Sequence, residues 1–314
     1  MVKGALAAPF LTPLASGVSF AAARTEDSYV ALTDDASRAD LFDKEVRPAG
    51  LREEQDQQPS PLAIPPIFYF PADARFDSIE NKPRANSIFG IDISHHSKAN
   101  LRFDLLRLQG IRFVYIKATQ GTGFKDNMFK TFWDKAGALP EADRVYRGAY
   151  HFLSSDKPGR AQADAFLDYL DLHGGVKPGD MVPVIDLEWD VVPGNPDRWS
   201  GRGAPYILDV VLSCVKRIKE RSGRTPMIYT AKSWFGPKTI PLTQITALKD
   251  FPLWIADYND RRKLSEKPAV PDGMTAALWQ FSDRAQLSTG YSGGMDANIF
   301  YGTDADFKQA FGIG

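Results

Sequence analysis

Met181-Val182-Pro183-Val184-Ile185-Asp186-Leu187-Glu188-Trp189-Asp190 is the stretch on which the reading of this 314-residue chain turns. A run of apolar, mostly β-branched residues closes on carboxylates, the pattern of a buried strand that delivers acid groups at its carboxyl end. Side chains alternate faces along a strand, so Val182, Val184, Asp186 and Glu188 are expected on one face and Ile185, Leu187 and Trp189 on the other. Two carboxylates then project into the same space. Their repulsion and partial desolvation are expected to raise the pKa of one, which keeps a carboxylic acid protonated near neutral pH as a general acid. Paired carboxylates are the working arrangement of glycoside hydrolysis. Asp-x-Glu by itself also ends strands that bind metals or form salt bridges.

Working outward, short β-branched or aromatic runs alternate with amphipathic stretches from residue 88 onward. The pattern predicts strands over 88–93, 111–118, 146–152, 182–188, 227–230, 253–256, 276–281 and 297–301, with helices over 101–109, 127–137, 160–173 and 206–221. This is an α/β chain. Eight strands suit a (β/α) barrel of the TIM type, for which about 250 residues is typical. The last connections are too short or too rich in Pro and Gly for regular helices, so the final units read as degraded. A doubly wound open sheet is the alternative. In a barrel, acids at the carboxyl ends of strands point into the mouth. Asp92 ends the first run, Asp186 and Glu188 end the fourth, Asp257 follows the sixth and Asp296 opens the last. Trp189, Trp254, Trp279, Tyr150, Tyr229 and Tyr258 lie at or near strand ends, where flat rings can stack on sugars or simply fill the core.

Composition narrows the class. Hydrophobic residues make up 43% and charged residues 25%, as in ordinary globular proteins. With 38 basic and 39 acidic residues there is no overall field to favour nucleic acid. One cysteine, Cys214, excludes an intramolecular disulfide and a Cys-rich zinc module. It falls on the apolar side of its predicted helix. No run reaches the roughly 18 apolar residues of a membrane span. His95-His96 beside Asp92 suggests a metal site, but neighbours on an extended segment point to opposite faces and are not expected to share an ion. His151 reads as a hydrogen-bonded neighbour of the site. The basic residues within 216–224 read as the solvated face of a helix, with weak attraction to an anionic polymer as the sharper option.

The chain divides unequally. All six tryptophans and all four histidines follow residue 87, and nine of the 22 prolines precede it. Residues 1–23 partly resemble an export signal, with Lys3 and Ala21-Ala22-Ala23, although Pro9, Thr12, Pro13 and Gly17 interrupt the apolar run. Residues 24–87 read as an acidic, Pro-rich linker, within which Ile67-Phe68-Tyr69-Phe70 is an apolar patch expected to dock on the following domain or on a partner. Residues 88–314 form the domain.

Eight short motifs in order carry a resemblance. They are Gly90-Ile91-Asp92-Ile93-Ser94, Tyr115-Ile116-Lys117-Ala118-Thr119-Gln120-Gly121, Arg147-Gly148-Ala149-Tyr150-His151-Phe152 and Val184-Ile185-Asp186-Leu187-Glu188. Then follow Ile228-Tyr229-Thr230, Leu253-Trp254-Ile255-Ala256-Asp257-Tyr258, Trp279-Gln280-Phe281 and Met295-Asp296-Ala297-Asn298. The domain resembles glycoside hydrolase family 25, the Chalaropsis-type lysozymes. The resemblance implies a flattened, irregular barrel that cleaves the β-1,4 bond between N-acetylmuramic acid and N-acetylglucosamine in peptidoglycan. It maps the general acid to Glu188 and the rest of the carboxylate cluster to Asp186, Asp92 and Asp296. Lys117, Tyr150, Tyr229, Trp254, Tyr258 and Trp279 map to substrate contacts. It further implies retention, with the substrate's acetamide attacking the anomeric carbon while Asp186 orients it. No metal or cofactor is implied, the partner is the glycan strand, and a monomer exported to the envelope or beyond is expected. The family's second-strand motif usually ends Glu-Gly, whereas this chain has Gln120-Gly121, and His95-His96-Ser97-Lys98 stands where a Gln often follows. Two other readings are a non-catalytic glycan-binding barrel, which need not keep an acid at 188, and a chitinase-like barrel. The latter carries Asp two and five positions before the Asp of the pair, where this chain has Val184 and Met181.

Overall fold

The structure, a computed structural model, describes residues 69–77, 82–191, 196–236, 238–241, 243–258, 267–271, 273–291 and 293–314. The signal-like stretch, most of the Pro-rich segment, and Ile67 and Phe68 lie outside these residues. Eight strands close into a barrel: β1 (Ser87–Ile93), β2 (Ile111–Gln120), β3 (Tyr146–Phe152), β4 (Val184–Asp186), β5 (Met227–Ala231), β6 (Leu253–Ala256), β7 (Ala276–Ala285) and β8 (Met295–Tyr301). The open-sheet alternative is excluded because β1 pairs with both β2 and β8. Seven strands run parallel and β8 runs antiparallel to both neighbours. The connection from residue 286 to 294 is shorter than the dozen or more residues a parallel crossover needs, so the chain turns straight back.

Helices α1 (Phe103–Gln109), α2 (Phe129–Gly137), α3 (Gly159–Leu172) and α4 (Ala204–Ser222) follow the first four strands. Among the described residues after β5 the connections before β8 hold only 3-10 turns, Lys232–Trp234 and Ile245–Leu248, and α5 (Asp304–Ala310) follows β8. Among the described residues the last units therefore lack the regular α-helices of the first four. On α4, Ile207, Val210, Val211, Cys214, Val215 and Ile218 recur at helical spacing and are all buried. Burial pushes the Cys214 thiol far above its ordinary pKa, so it is inert packing.

The basic residues of 216–224 divide: Lys216 and Lys219 are exposed, as a solvated face requires, whereas the three arginines are engaged. Arg217 pairs with Asp164 at 2.6 Å, and Arg221 reaches Asp164, Asp168 and Asp171 at 3.0, 2.7 and 3.1 Å. Arg224 donates to the carbonyls of Asp180 and Gly312 at 2.6 and 2.9 Å. Arg217 and Arg221 thus couple α4 to α3, which lies beside it.

The folded unit also begins before residue 88. The Phe70 N–H donates to the Gln286 carbonyl at 2.7 Å, and its buried ring packs edge-on against Phe89 and Phe281 at 5.6 and 5.9 Å. Arg75 donates to the Gln109 carbonyl at 2.6 Å, and Phe76–Asp77 pairs with Lys82–Pro83. A strap thus covers the barrel wall. Its apolar anchor was visible in the sequence; its membership of the domain was hidden by the surrounding prolines.

The barrel interior is filled below the mouth by Tyr115 and Trp254, whose rings lie 5.0 Å apart. Glycine is required beside these large side chains. A Cβ on Gly148 would lie 2.2 Å from the Tyr115 ring, and one on Gly90 2.3 Å from the Phe113 ring.

Candidate active site

Register places seven of the predicted residues on one face. Asp296 lies opposite Asp92, Lys117 beside Tyr150, Asp186 beside Phe152 and Tyr229, and Tyr229 beside Trp254. Gln280 completes the circuit beside Ala256 and Asn298. Laterally paired residues project to the same side of a sheet, so this ring faces the barrel interior at the mouth. Asp296 opens its strand rather than ending it. It reaches the mouth because β8 is reversed, which brings its first residues level with the last residues of β1.

Asp92 is held rigidly. Its Oδ2 accepts from Gln280 Nε2 and from Asn298 Nδ2, both at 2.8 Å. A carboxylate only accepts, so both amides must turn their NH2 groups toward it. Gln280 Oε1 then accepts the hydroxyls of Tyr229 and Tyr258 at 2.8 and 2.7 Å, and Asn298 Oδ1 accepts the Trp254 indole at 2.7 Å. Five side chains from β5, β6, β7, β8 and the turn after β6 therefore fix one carboxylate. Gln280 and Asn298 were not among the predicted site residues. Their sequence signal was a polar amide within an otherwise apolar run and a place in two of the ordered motifs, neither of which showed what the amide faces.

Asp186 and Glu188 are 2% and 3% exposed. Regular pairing ends at Asp186, short of the strand end at 188 that the sequence predicts. Leu187 still donates its N–H to the Tyr229 carbonyl at 2.9 Å, and Glu188 lies in a bend. Strand alternation therefore governs Asp186 but not Glu188. Lys117 is buried, donates to Gln120 Oε1 at 3.0 Å and lies 4.9 Å from the centre of the Phe152 ring and 5.5 Å from that of Phe124.

The aromatic residues separate. Tyr258 is partly exposed at the mouth, whereas Tyr150 and Tyr229 are buried in it. Trp254 and Trp279 are each 2% exposed and offer no ring face to solvent. Trp279 stands on the opposite face of β7 from Gln280 and donates its indole N–H to the Asp257 carbonyl at 2.8 Å. It is wall packing rather than a stacking platform for sugar, as strand alternation next to Gln280 requires. Asp257 serves the rim, its Oδ2 accepting the Ala269 N–H at 2.6 Å.

His95 and His96 do not point apart. Their rings lie 3.9 Å from each other because they occupy a turn after β1, not extended chain. His95 Nδ1 lies 2.8 Å from Oδ2 of the buried Asp126. Among the described residues no group of three or more His, Cys, Asp and Glu is arranged to hold a metal ion. His151 is enclosed, with Nδ1 2.7 Å from Thr119 Oγ1 and Nε2 3.3 Å from Gln162 Oε1, and burial above all lowers its pKa to about 3. It is a neutral structural partner at working pH.

This arrangement can be compared with known proteins. The model of the family described as Glycosyl hydrolases family 25 matches residues 91–289. Lysozyme M1 of Streptomyces globisporus is 30% identical over 226 residues, spanning 70% of this chain and 70% of its own. The N,O-diacetylmuramidase of Chalaropsis sp is 29% identical over 226 residues, spanning 71% of this chain and 98% of its own. The crystal structure of the bacterial lysozyme from Streptomyces coelicolor shares the fold with a TM-score of 0.59 at 28% identity, covering 72% of this chain and 97% of that one. The ordered motifs, the closed barrel with its reversed last strand and the match over most of the domain lead to one assignment: the chain belongs to glycosyl hydrolases family 25.

Proposed function

We propose that this protein is a peptidoglycan hydrolase, a muramidase that cleaves the β-1,4 bond between N-acetylmuramic acid and N-acetylglucosamine, with Glu188 as its proton donor. The observation that supports the reading is that Asp186 at the end of β4 and Glu188 just after it are both buried, beside a mouth in which Gln280 and Asn298 hold Asp92. Glu188 protonates the glycosidic oxygen as the bond to the anomeric carbon breaks. Asp186 accepts the acetamide N–H of the muramyl residue and so directs its carbonyl oxygen at the anomeric carbon. The oxazolinium that forms is opened by water, which passes a proton to Glu188 and leaves a reducing N-acetylmuramic acid with retained configuration. Asp92 and Asp296 supply negative charge facing the positive centre that develops. The carboxylates all come from one chain, which suits a monomer. Peptidoglycan lies outside the cytoplasmic membrane, so the protein acts in the envelope or beyond it; among the described residues no helix is long and apolar enough to cross a membrane.

The test is Glu188→Gln on purified peptidoglycan, with products identified by mass spectrometry. The amide cannot donate the required proton, so reducing-sugar release is expected to fall roughly a hundred- to ten-thousandfold with an unchanged melting temperature. Parent products ending in reducing N-acetylglucosamine, or parent rates in the variant, would overturn the reading.

A further inference from the structure

The segment between β4 and α4 holds an ion pair between the buried Asp190 and the partly exposed Arg198 that the roles above do not use. Because sheet pairing stops at Asp186, Glu188 sits on a short bridge rather than in a ladder. One end of that bridge is the Leu187 N–H bonded to Tyr229. The other is Asp190, 1% exposed. Asp190 Oδ2 accepts the Ser155 N–H at 2.7 Å and the Ser154 hydroxyl at 3.4 Å, while Oδ1 accepts from the Arg198 guanidinium. The Asp190 carbonyl accepts the Arg198 N–H at 2.9 Å, and the Asp190 N–H donates to Asp197 Oδ1 at 3.0 Å. Asp197 Oδ2 in turn accepts the Trp234 indole at 3.2 Å. The chain after β4 is thereby tied to the turn after β3 and to the turn after β5.

We infer that the Asp190–Arg198 pair is a positioning device for Glu188, fixing the bridge that carries the proton donor against the Ser154–Ser155 turn. A buried carboxylate is tolerated only when its oxygens are bonded, and here each oxygen has a donor of fixed direction. The turn that receives it is itself rigid. Gln162 Oε1 accepts the Ser154 N–H at 2.8 Å, and its Nε2 donates to the carbonyls of Ser154 and Lys157, both at 2.9 Å. Proton transfer to a glycosidic oxygen is sensitive to displacements well below 1 Å, so an anchor two residues away acts on turnover rather than on substrate affinity. The inference rests on Glu188 being the proton donor, and the experiment separates the two.

Asp190→Asn and Glu188→Gln are assayed in parallel in the full chain, on solubilised peptidoglycan, for kcat, KM and melting temperature. Asp190→Asn keeps the side-chain shape and loses the charge. Its kcat is expected to fall at least tenfold while KM stays within twofold. Parent kcat in Asp190→Asn beside an inactive Glu188→Gln would overturn the positioning role and leave the proton donor standing. A loss expressed in KM alone would also overturn it. Activity in Glu188→Gln would instead remove the reading beneath it. If Asp190→Asn fails to fold, Arg198→Lys carries the test, since it keeps the charge and loses the fork: the same fall in kcat supports the inference and a parent kcat ends it.

Discussion

At the scale of single residues, His151 shows how the fold around the mouth constrains protonation. Gln162 presents its oxygen to the imidazole because its NH2 is bonded to two carbonyls, so Nε2 carries the proton and Nδ1 accepts from Thr119. Desolvation is the largest cause of the depressed pKa of about 3; the Lys117 charge adds to it, and the Gln162 bond opposes it. In the unfolded chain the group titrates near the ordinary histidine value of about 6.5. Between those values the unfolded state binds a proton that the native state refuses, so stability falls as pH drops from about 6.5 toward 3 and levels off below. Urea unfolding of the parent at pH 7 and 4.5 is expected to show this loss, and His151→Gln to show a shallower one by up to one proton. Equal pH slopes in the two proteins would mean the imidazole titrates normally. The acids drew attention in sequence because carboxylates close several apolar strands within the ordered motifs, although Asp-x-Glu by itself has structural explanations too. Gln280 and Asn298 did not, since an amide on a strand looks the same whether it faces water or Asp92. Asp190 and Arg198 were hidden for another reason: their pairing depends on loop closure, which leaves no periodic trace.

At the scale of elements, the reversed β8 decides what the mouth contains. The run of strands was readable from periodicity, and the shortness of the 286–294 connection held the reversal, but direction is not part of a hydrophobic pattern. Only reversal sets Asp296 and Asn298 beside Asp92. The α3–α4 pair teaches the complementary lesson, that basic residues on a helix signal a partner only when nothing nearby neutralises them. Arg217 and Arg221 are about one-quarter exposed and already face three aspartates. Partly exposed pairs contribute roughly 0–1 kcal/mol each. Arg217→Gln with Arg221→Gln is therefore expected to cost about 1 kcal/mol in chemical denaturation. Sedimentation with isolated wall is expected to stay within twofold of the parent. A several-fold loss of wall binding would restore these arginines to the solvent-facing role that their sequence suggests.

At the scale of the whole molecule, the boundary of the catalytic unit is a packing question with a measurable answer. Sequence placed it at residue 88, ahead of every tryptophan and histidine. The structure moves the cut upstream, because the strap from Tyr69 covers Phe89 and Phe281 with the Phe70 ring and holds the β7–β8 turn through Gln286. That turn leads into the strand bearing Asp296 and Asn298, so the strap borders the site's supporting framework as well as the core. Deleting a buried phenylalanine side chain costs about 3–5 kcal/mol, and deleting the strap also removes the Arg75 bond to Gln109. A chain of residues 69–314 is expected to match the full protein in melting temperature and in activity on isolated wall. A chain of residues 88–314 is expected to melt lower and to aggregate through the exposed aromatic face. Phe70→Ala in the longer chain isolates the anchor and should reproduce most of the loss in melting temperature. Equal melting temperatures for the two truncations would show that the strap rests on the barrel without supporting it.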